Sequence, residues 1–545
     1  MAATAMGPRR LAAAIALSAA ALAADTVAAP QAAAAGDAGK AAAPPADRVT
    51  VTLPDAAAAL LGDGPRSGRM IVFLLPAAGP HRDDRPVDAP FFDAPQPLFS
   101  CAVEALAPGR PVTIDAKAVS FPAPLDELRG SYRVQAVFDR STTERGHLAP
   151  GNLLTAEGGI ELEPGRADLC ALELRERIDE PRRPQRPNLR WFELPSAVLG
   201  RALGRDVTLR AGVALPRGWG DPDHRRRIFP AVYVVPGFGG RWTAADHYAR
   251  MLAAPETAAL LPEAAWIVLD PEAPLGHHGF VDSAANGPWG TALVEELIPA
   301  LEREFRLLPR PSARAVTGHS SGGWSALWLQ MQHPGTFGAC FASSPDPVDF
   351  AHFQQSDLYR DTSVFCDAEG RERGSYRTTL LGKVDKVLMT VREEVGVERV
   401  LGPDRDSGEQ WDAWSAMWSP VDPATRLPRP MFDAVTGTID RSVVRGSWSR
   451  YDIAALVRDD PARWVPLFRE RVRLVCGGRD GFYLDRAVKS LKDALDEGAK
   501  TLAARGQMLP DGPGYAEIVP DETHDTMAAA ATLRWFREIR AWLGK

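Results

Sequence analysis

Residues 313 to 323 read Ala313-Arg314-Ala315-Val316-Thr317-Gly318-His319-Ser320-Ser321-Gly322-Gly323, and Trp324-Ser325-Ala326-Leu327-Trp328-Leu329-Gln330-Met331 follow. A short apolar run, a glycine-rich turn and a segment free of Pro and Gly predict a strand, a sharp turn and a buried helix. The turn carries the pattern G-x-S-x-G, which places a serine at the apex of a strained strand-to-helix connection. Glycines two residues before and after Ser320 leave room for the chain to fold back on itself, because a side chain there would press on the neighbouring strand or helix. The N-terminus of the following helix would aim backbone N–H groups and partial positive charge at the serine. This stretch therefore predicts a parallel-strand and helix unit that presents an activated serine nucleophile.

The pattern extends outward from that unit. Apolar runs at Ala231 to Val235, Ala265 to Leu269, Ala315 to Thr317, Gly338 to Ala342 and Val472 to Cys476 read as buried strands. Helical segments lie between them: Leu293, Val294, Leu297, Ile298, Leu301 and Phe305 recur at helical spacing in a stretch ending before Pro309. A last helix carries Leu533, Phe536, Ile539 and Leu543 on one face. Alternating strands and helices predict an α/β class with a mostly parallel sheet covered on both sides. Residues 352 to 465 break the alternation and are expected to form an inserted cap within a domain spanning 189–545.

A serine hydroxyl is a weak nucleophile and needs a base, itself oriented by a third group. The histidine after His352 is His524, between the strand-like Tyr515-Ala516-Glu517-Ile518-Val519 and the C-terminal helix. The acid is read as Asp480, just beyond the strand ending at Cys476, in preference to Asp485, which falls in the first turn of the next helix. Two backbone donors are also needed for the developing oxyanion. Ser321 supplies one, and the loop Val235-Pro236-Gly237-Phe238-Gly239-Gly240 supplies the other, from Phe238 or, failing that, Gly239.

Four segments in order resemble the esterase D family: Gly212-Val213-Ala214-Leu215-Pro216, the Pro-Gly-Phe-Gly-Gly loop at 236 to 240, Asp282-Ser283-Ala284-Ala285-Asn286-Gly287-Pro288-Trp289-Gly290, and the Gly-His-Ser-Ser-Gly-Gly turn. That family includes feruloyl and acetylxylan esterases, enterochelin-esterase-like hydrolases, S-formylglutathione hydrolases and mycolyltransferases. The resemblance covers roughly residues 206 to 350 and 470 to 545. It implies an α/β-hydrolase fold, a Ser320–His524–Asp480 triad, an acyl-enzyme intermediate and no cofactor. The substrate class it suggests is a small-molecule or polysaccharide-linked carboxylic ester. Two rival readings remain: an acyltransferase of mycolyltransferase type on the same machinery, and a non-catalytic glycan-binding protein. Two departures stand out. Pro236 occupies a place where many members carry His, and the insertion is longer than a minimal member needs.

The first half reads differently. Val49-Thr50-Val51-Thr52-Leu53, Met70 to Leu75 and Tyr132 to Phe138 are short β-like runs between turn signals, which predicts an antiparallel β-sandwich domain over 48–188. Its end, Asp179 to Pro187, is rich in Arg and Pro and reads as a solvated linker between domains. Ahead of it, Arg9 and Arg10, the 14 residues Leu11 to Ala24 and small-residue cleavage sites up to Ala29 predict an export signal over 1–29. An Ala, Pro and Gly-rich stretch over 30–47 predicts a flexible linker. A periplasmic or secreted protein with no membrane span after cleavage is expected. A net charge of −7 from 63 basic and 70 acidic residues gives no reason to expect nucleic acid.

Three further features call for a plain reading. Five cysteines show no C-x-x-C spacing, so no metal site is expected; Cys340 with Cys366 is a candidate disulfide. His277, His278 and Asp282 lack a further ligand at useful spacing. Trp411, Trp414 and Trp418 lie at i, i+3 and i+7, a stripe that reads first as helix core and second as the lining of a sugar or aryl pocket.

Overall fold

The computed structural model describes residues 49–88, 95–115, 117–163, 170–224, 226–380 and 384–544. The expected export signal and the linker to residue 47 lie outside the described residues. The described residues divide into two compact units: one holds Arg182–Val391 and Gly408 onward, the other the described residues from Val49 to Pro181 together with Arg392–Ser407.

The larger unit is built on eight strands: β1 (Leu189–Pro195), β2 (Thr208–Ala214), β3 (Ala231–Val235), β4 (Ala265–Leu269), β5 (Arg314–His319), β6 (Ala339–Ser343), β7 (Val472–Gly477) and β8 (Tyr515–Val519). They pair in the order β1-β2-β4-β3-β5-β6-β7-β8. β2 is antiparallel to both of its neighbours, and every pair from β4 through β8 is parallel. This is a mixed α/β sheet. Its central strands are continuous apolar runs because helices cover both faces, so neither side chain of an alternating pair meets water. On one face α1 (Ala245–Ala253) and α5 (His524–Leu543) bury Ala245, Ala249, Trp535, Phe536 and Ile539 against Trp266, Phe341 and Val475. Elsewhere α2 (Ser321–Gln332) sits against β5 and β6, with every residue from Ser321 to Met331 buried. A helix apolar all round is what a fully enclosed position demands.

The stretch before Pro309 is helical over Trp289–Ala292 and Ile298–Phe305, with a wider π turn at Leu293–Leu297 between them. Between β6 and β7 the insertion runs from Ser344 to Arg471, wider than the expected 352 to 465. The difference at its C-terminal end is the helix Pro461–Arg471, which leads straight into β7. The insertion contains a hairpin (Gly374–Leu380 with Val384–Thr390), α3 (Gln410–Trp418) and several short helices. Trp411, Trp414 and Trp418 are 1–2 % exposed. Their rings meet Phe353 and Trp448, and Trp418 reaches Trp324 of α2 at 5.1 Å between centroids. The stripe is therefore core: it roots α3 on the helix that follows Ser320. Each such ring contributes about 1.5–3 kcal/mol by leaving water.

Among the described residues the smaller unit holds nine strands, eight along one path and Gly158–Leu162 off it, paired with Gly130–Asp139; seven pairings are antiparallel, and Val49–Thr52 runs parallel to Ala171–Arg177. Alternate residues such as Val49 and Val51, and Met70, Val72 and Leu74, enter a single core with Phe99 and Phe138. Residues 392–407 complete this unit: the hydroxyl of Ser100 donates to Val400 O at 2.6 Å. That segment belongs to the insertion by sequence, and it crosses to a unit in which the sequence alone does not place it.

All five cysteines are free. Cys340 lies buried within β6 and Cys366 in the insertion, so the Cys340–Cys366 pairing is not made.

Candidate active site

The turn after β5 is the first component. Ser320 has φ 59° and ψ −129°, a region that side-chain-bearing residues rarely enter. The conformation is held from both sides. The Ser320 N–H donates to Ser343 O at 3.0 Å, and its carbonyl accepts from the N–H groups of Gly323 (2.8 Å) and Trp324 (3.1 Å). The flanking glycines are required by close backbone approach: a Cβ on Gly318 would stand 2.1 Å from Gly322 O, and one on Gly322 would stand 2.0 Å from Val235 O.

The loops after β7 and β8 bring an acid and a base together. Backbone bonds lace the two loops, Gly478 N–H to Val519 O at 2.7 Å and Arg479 N–H to Glu522 O at 3.0 Å. Asp480 is fully buried, and its Oδ1 accepts from the N–H groups of Phe482 (2.9 Å) and Leu484 (3.4 Å). Its Oδ2 accepts from His524 Nδ1 at 2.8 Å. His524 opens α5 behind a Thr523–Thr526 capping box, which fixes the direction of the chain at that residue. Burial pushes the Asp480 carboxyl up, but the charge and hydrogen bond of His524 and the Phe482 N–H outweigh it, and the net is down. Burial likewise pushes His524 down, but Asp480 outweighs it and leaves the imidazole above its usual 6.5. With Nδ1–H held by the carboxylate, Nε2 is the nitrogen left to take a proton.

His319, the residue before Ser320, lies against His524 with ring centroids 4.4 Å apart. Its Nδ1 meets Ser343 Oγ at 2.8 Å. Burial, with His524 nearby, pushes it down to about 3, so it stays neutral beside the base.

The loop after β3 comes next to the serine. A Cβ built on Gly237 would lie 3.3 Å from Ser320 Cβ and 3.1 Å from His319 O. Gly239 takes φ 76°, and Gly240 N–H closes a turn on Gly237 O at 2.9 Å. His277 supports this loop from behind: its Nδ1 accepts from Gly279 N–H at 3.1 Å, which puts the ring proton on Nε2, and Nε2 donates to Pro236 O at 3.0 Å. The backbone carbonyl at Pro236 thus has a histidine partner from another loop.

Of the residues singled out by sequence, Ser320, Ser321 and the 237–239 backbone meet at the ends of β3 and β5, and Asp480 bonds His524 at the ends of β7 and β8. Asp485 opens α4 (Asp485–Ala504) and stands 3.8 Å from Arg377 Nη2. His277, His278 and Asp282 do not converge. His278 stacks on Trp289 at 3.8 Å, and Asp282 accepts from the N–H (2.9 Å) and hydroxyl (2.6 Å) of Thr291. Among the described residues, no group of three or more His, Cys, Asp or Glu stands where it could hold a metal ion, and no helix is long and apolar enough to cross a membrane.

Three supporting contacts around the site were not visible in the sequence. His277 is one, through Pro236. Asp346 is the second: its Oδ2 accepts from the Ser321 hydroxyl and from Trp414 Nε1, both at 2.7 Å. Burial pushes its carboxyl up to about 6. Arg377 of the hairpin is the third. Its Nε donates to Asp480 O at 3.2 Å, its backbone N–H donates to Gly481 O at 2.9 Å, and its guanidinium lies over Tyr483 at 4.3 Å. The only hint in the sequence was the charge of these residues, and charge alone names no partner.

No curated protein matches the chain. Among solved structures, a ferulic acid esterase is similar at 14% identity, over 65% of this chain and 99% of that one, with a TM-score of 0.37. A fluorophosphonate-binding serine hydrolase from Staphylococcus aureus is similar at 12% identity, over 65% and 98%, with a TM-score of 0.35. An S-formylglutathione hydrolase from Agrobacterium tumefaciens is similar at 16% identity, over 65% and 94%, with a TM-score of 0.33. The family model described as "Putative esterase" matches residues 200–505, more than half of the chain and inclusive of Ser320 and Asp480. The chain therefore belongs to the "Putative esterase" family and is a carboxylic-ester hydrolase.

Proposed function

We propose that this protein is an exported serine esterase that works through a Ser320–His524–Asp480 triad and an acyl-enzyme. Ser320 Oγ attacks the ester carbonyl while His524 Nε2 takes its proton. The imidazolium then returns that proton to the leaving alcohol, and water repeats the sequence to release the acid. Asp480 holds the tautomer and stabilises the imidazolium. The N–H of Ser321, at the first turn of α2, and that of Phe238, backed by Gly239, receive the oxyanion. One such donor is worth about 2.7–4 kcal/mol in the transition state. The observation that carries this reading is the buried His524–Asp480 bond of 2.8 Å in loops laced beside the strained Ser320 turn.

We read the larger unit as an α/β-hydrolase, on its strand order and its antiparallel β2, and the smaller one as a β-sandwich module. Export to the periplasm or outside rests on Arg9, Arg10 and the Leu11 to Ala24 run, and on nothing further. The substrate is a small-molecule or polysaccharide-linked ester, and no cofactor enters any step.

Hydrolysis of p-nitrophenyl acetate and butyrate by the wild type and by Ser320→Ala tests the chemistry; a folded variant with undiminished turnover would remove the serine from its role. Product analysis with an added alcohol separates hydrolysis from the acyltransferase alternative of mycolyltransferase type. A folded wild type with no turnover on any ester would favour the non-catalytic glycan-binding alternative. The N-terminal residue of protein recovered outside the producing cell tests export.

A further inference from the structure

Asp346 takes no part in the steps above, yet it stands directly behind them. It is 3 % exposed, and its Oδ2 receives both the Ser321 hydroxyl and the Trp414 indole N–H at 2.7 Å. Its own N–H points to Ser320 O at 3.3 Å. Ser321 begins the helix after the nucleophile, and Trp414 sits in the middle of α3 in the insertion. A neutral acceptor would satisfy a hydroxyl and an indole without the cost of burying an ionisable group. A carboxylate adds bonds that are shorter and about twice as strong as neutral ones. Two of them converging on one oxygen fix both donors relative to each other.

We propose that Asp346 is a positioning residue for the oxyanion hole: it clamps Ser321 between the nucleophile turn and the insertion helix α3, so that the Ser321 N–H keeps its aim as charge develops. The inference rests on the reading of Ser321 as an oxyanion donor. Such a clamp acts on the transition state and leaves ground-state binding nearly unchanged, because the ester carbonyl carries little charge before attack. It also makes the insertion part of the catalytic geometry through Trp414. Misplacement of a donor by about 1 Å can cost on the order of 100-fold in rate.

The test compares the full-length wild type with Asp346→Ala, Asp346→Asn, Ser321→Ala and the Asp346→Ala/Ser321→Ala double variant. The readouts are kcat and KM on p-nitrophenyl acetate and the rate of fluorophosphonate labelling. We expect Asp346→Ala to lose about 10- to 100-fold in kcat, with KM within about twofold and labelling slowed in parallel. Asp346→Asn, which keeps an acceptor oxygen, recovers part of that loss. The double variant is no slower than the slower single variant, because both changes cut the same bond. Should Asp346→Ala fail to fold, Ser321→Ala carries the same expectation of lower kcat at constant KM, with the Asp346–Trp414 bond intact. Wild-type kcat in folded Asp346→Ala, an effect confined to KM, or additive losses would overturn the proposal. Failure of the wild type to label or turn over would overturn the Ser320 reading itself, and would show before any variant is compared.

Discussion

Replacing Asp480 by Asn changes one atom and should disable the base. In the wild type, Oδ1 is committed to two backbone donors, Phe482 N–H at 2.9 Å and Leu484 N–H at 3.4 Å, while Oδ2 faces His524 Nδ1 at 2.8 Å. An amide in the same place must keep its oxygen on the two N–H groups, since turning it would leave both without an acceptor in a buried loop. Its NH2 then faces Nδ1, which can only accept. The ring proton moves to Nε2, the nitrogen that must be bare to deprotonate Ser320. By the mechanism of a triad with its acid replaced by amide, kcat should fall about 10³–10⁴-fold, on the order of 4–5.5 kcal/mol. Shape is conserved and the loop bonds survive, so the variant should remain folded. The assay is kcat on p-nitrophenyl acetate, with circular dichroism and thermal melting as controls and Asp485→Asn beside it. Asp485→Asn should stay within about threefold of wild type, because that carboxylate faces Arg377. A folded Asp480→Asn that keeps more than about a tenth of its activity, or an Asp485→Asn that loses more, would refute the reasoning.

Further outcomes follow from the same geometry. His524 must be neutral to act and its pKa lies above 6.5, so kcat/KM should fall as pH drops through an apparent pKa above that value; a limb centred at or below 6.5 would contradict the pairing with Asp480. In Gly322→Ala a Cβ would stand 2.0 Å from Val235 O, so the start of α2 and the end of β3 must part. A melting temperature equal to wild type would show that the turn is looser than described, against an expected loss of about 1–3 kcal/mol. Arg377→Ala removes the hairpin's hold on the Asp480 carbonyl and should lower kcat several-fold at constant KM, whereas an unchanged kcat would make that hold ornamental. Trp418→Ala should cost about 3–5 kcal/mol in urea unfolding, because Trp418 joins α3 to Trp324; a loss under about 1 kcal/mol would mean the insertion is rooted elsewhere.

The parts of this fold that are legible in the sequence are those set by local pattern. β3 and β4 occupy Ala231–Val235 and Ala265–Leu269, the same bounds the apolar runs suggest, because a strand buried on both faces has no polar alternation to blur its ends. The Ser320 turn is legible because a tight turn between a strand and a helix leaves glycines at fixed offsets. What is not legible is pairing at long range. Trp414 finds Asp346 across 68 residues, Ser321 finds it across 25, and His277 finds Pro236 across 41. Adjacent histidines such as His277 and His278 carry no sign of which carbonyl or ring their side chains will meet, so the absence of a further ligand argues against a metal but does not reveal the Pro236 contact. In the smaller unit several strands were visible but the order in which they pair was not, nor was the return of residues 392–407 to complete it. Strand pairing depends on chain topology, which alternation along one strand does not encode.

The most direct measurement is the site of covalent reaction. Treating the full-length wild type with a fluorophosphonate, then reading intact mass and the modified peptide, should give one adduct per chain, on Ser320. The adduct should be absent from Ser320→Ala and should form far more slowly in His524→Ala. An adduct on any other residue, or none on a folded protein that hydrolyses p-nitrophenyl acetate, would contradict the account.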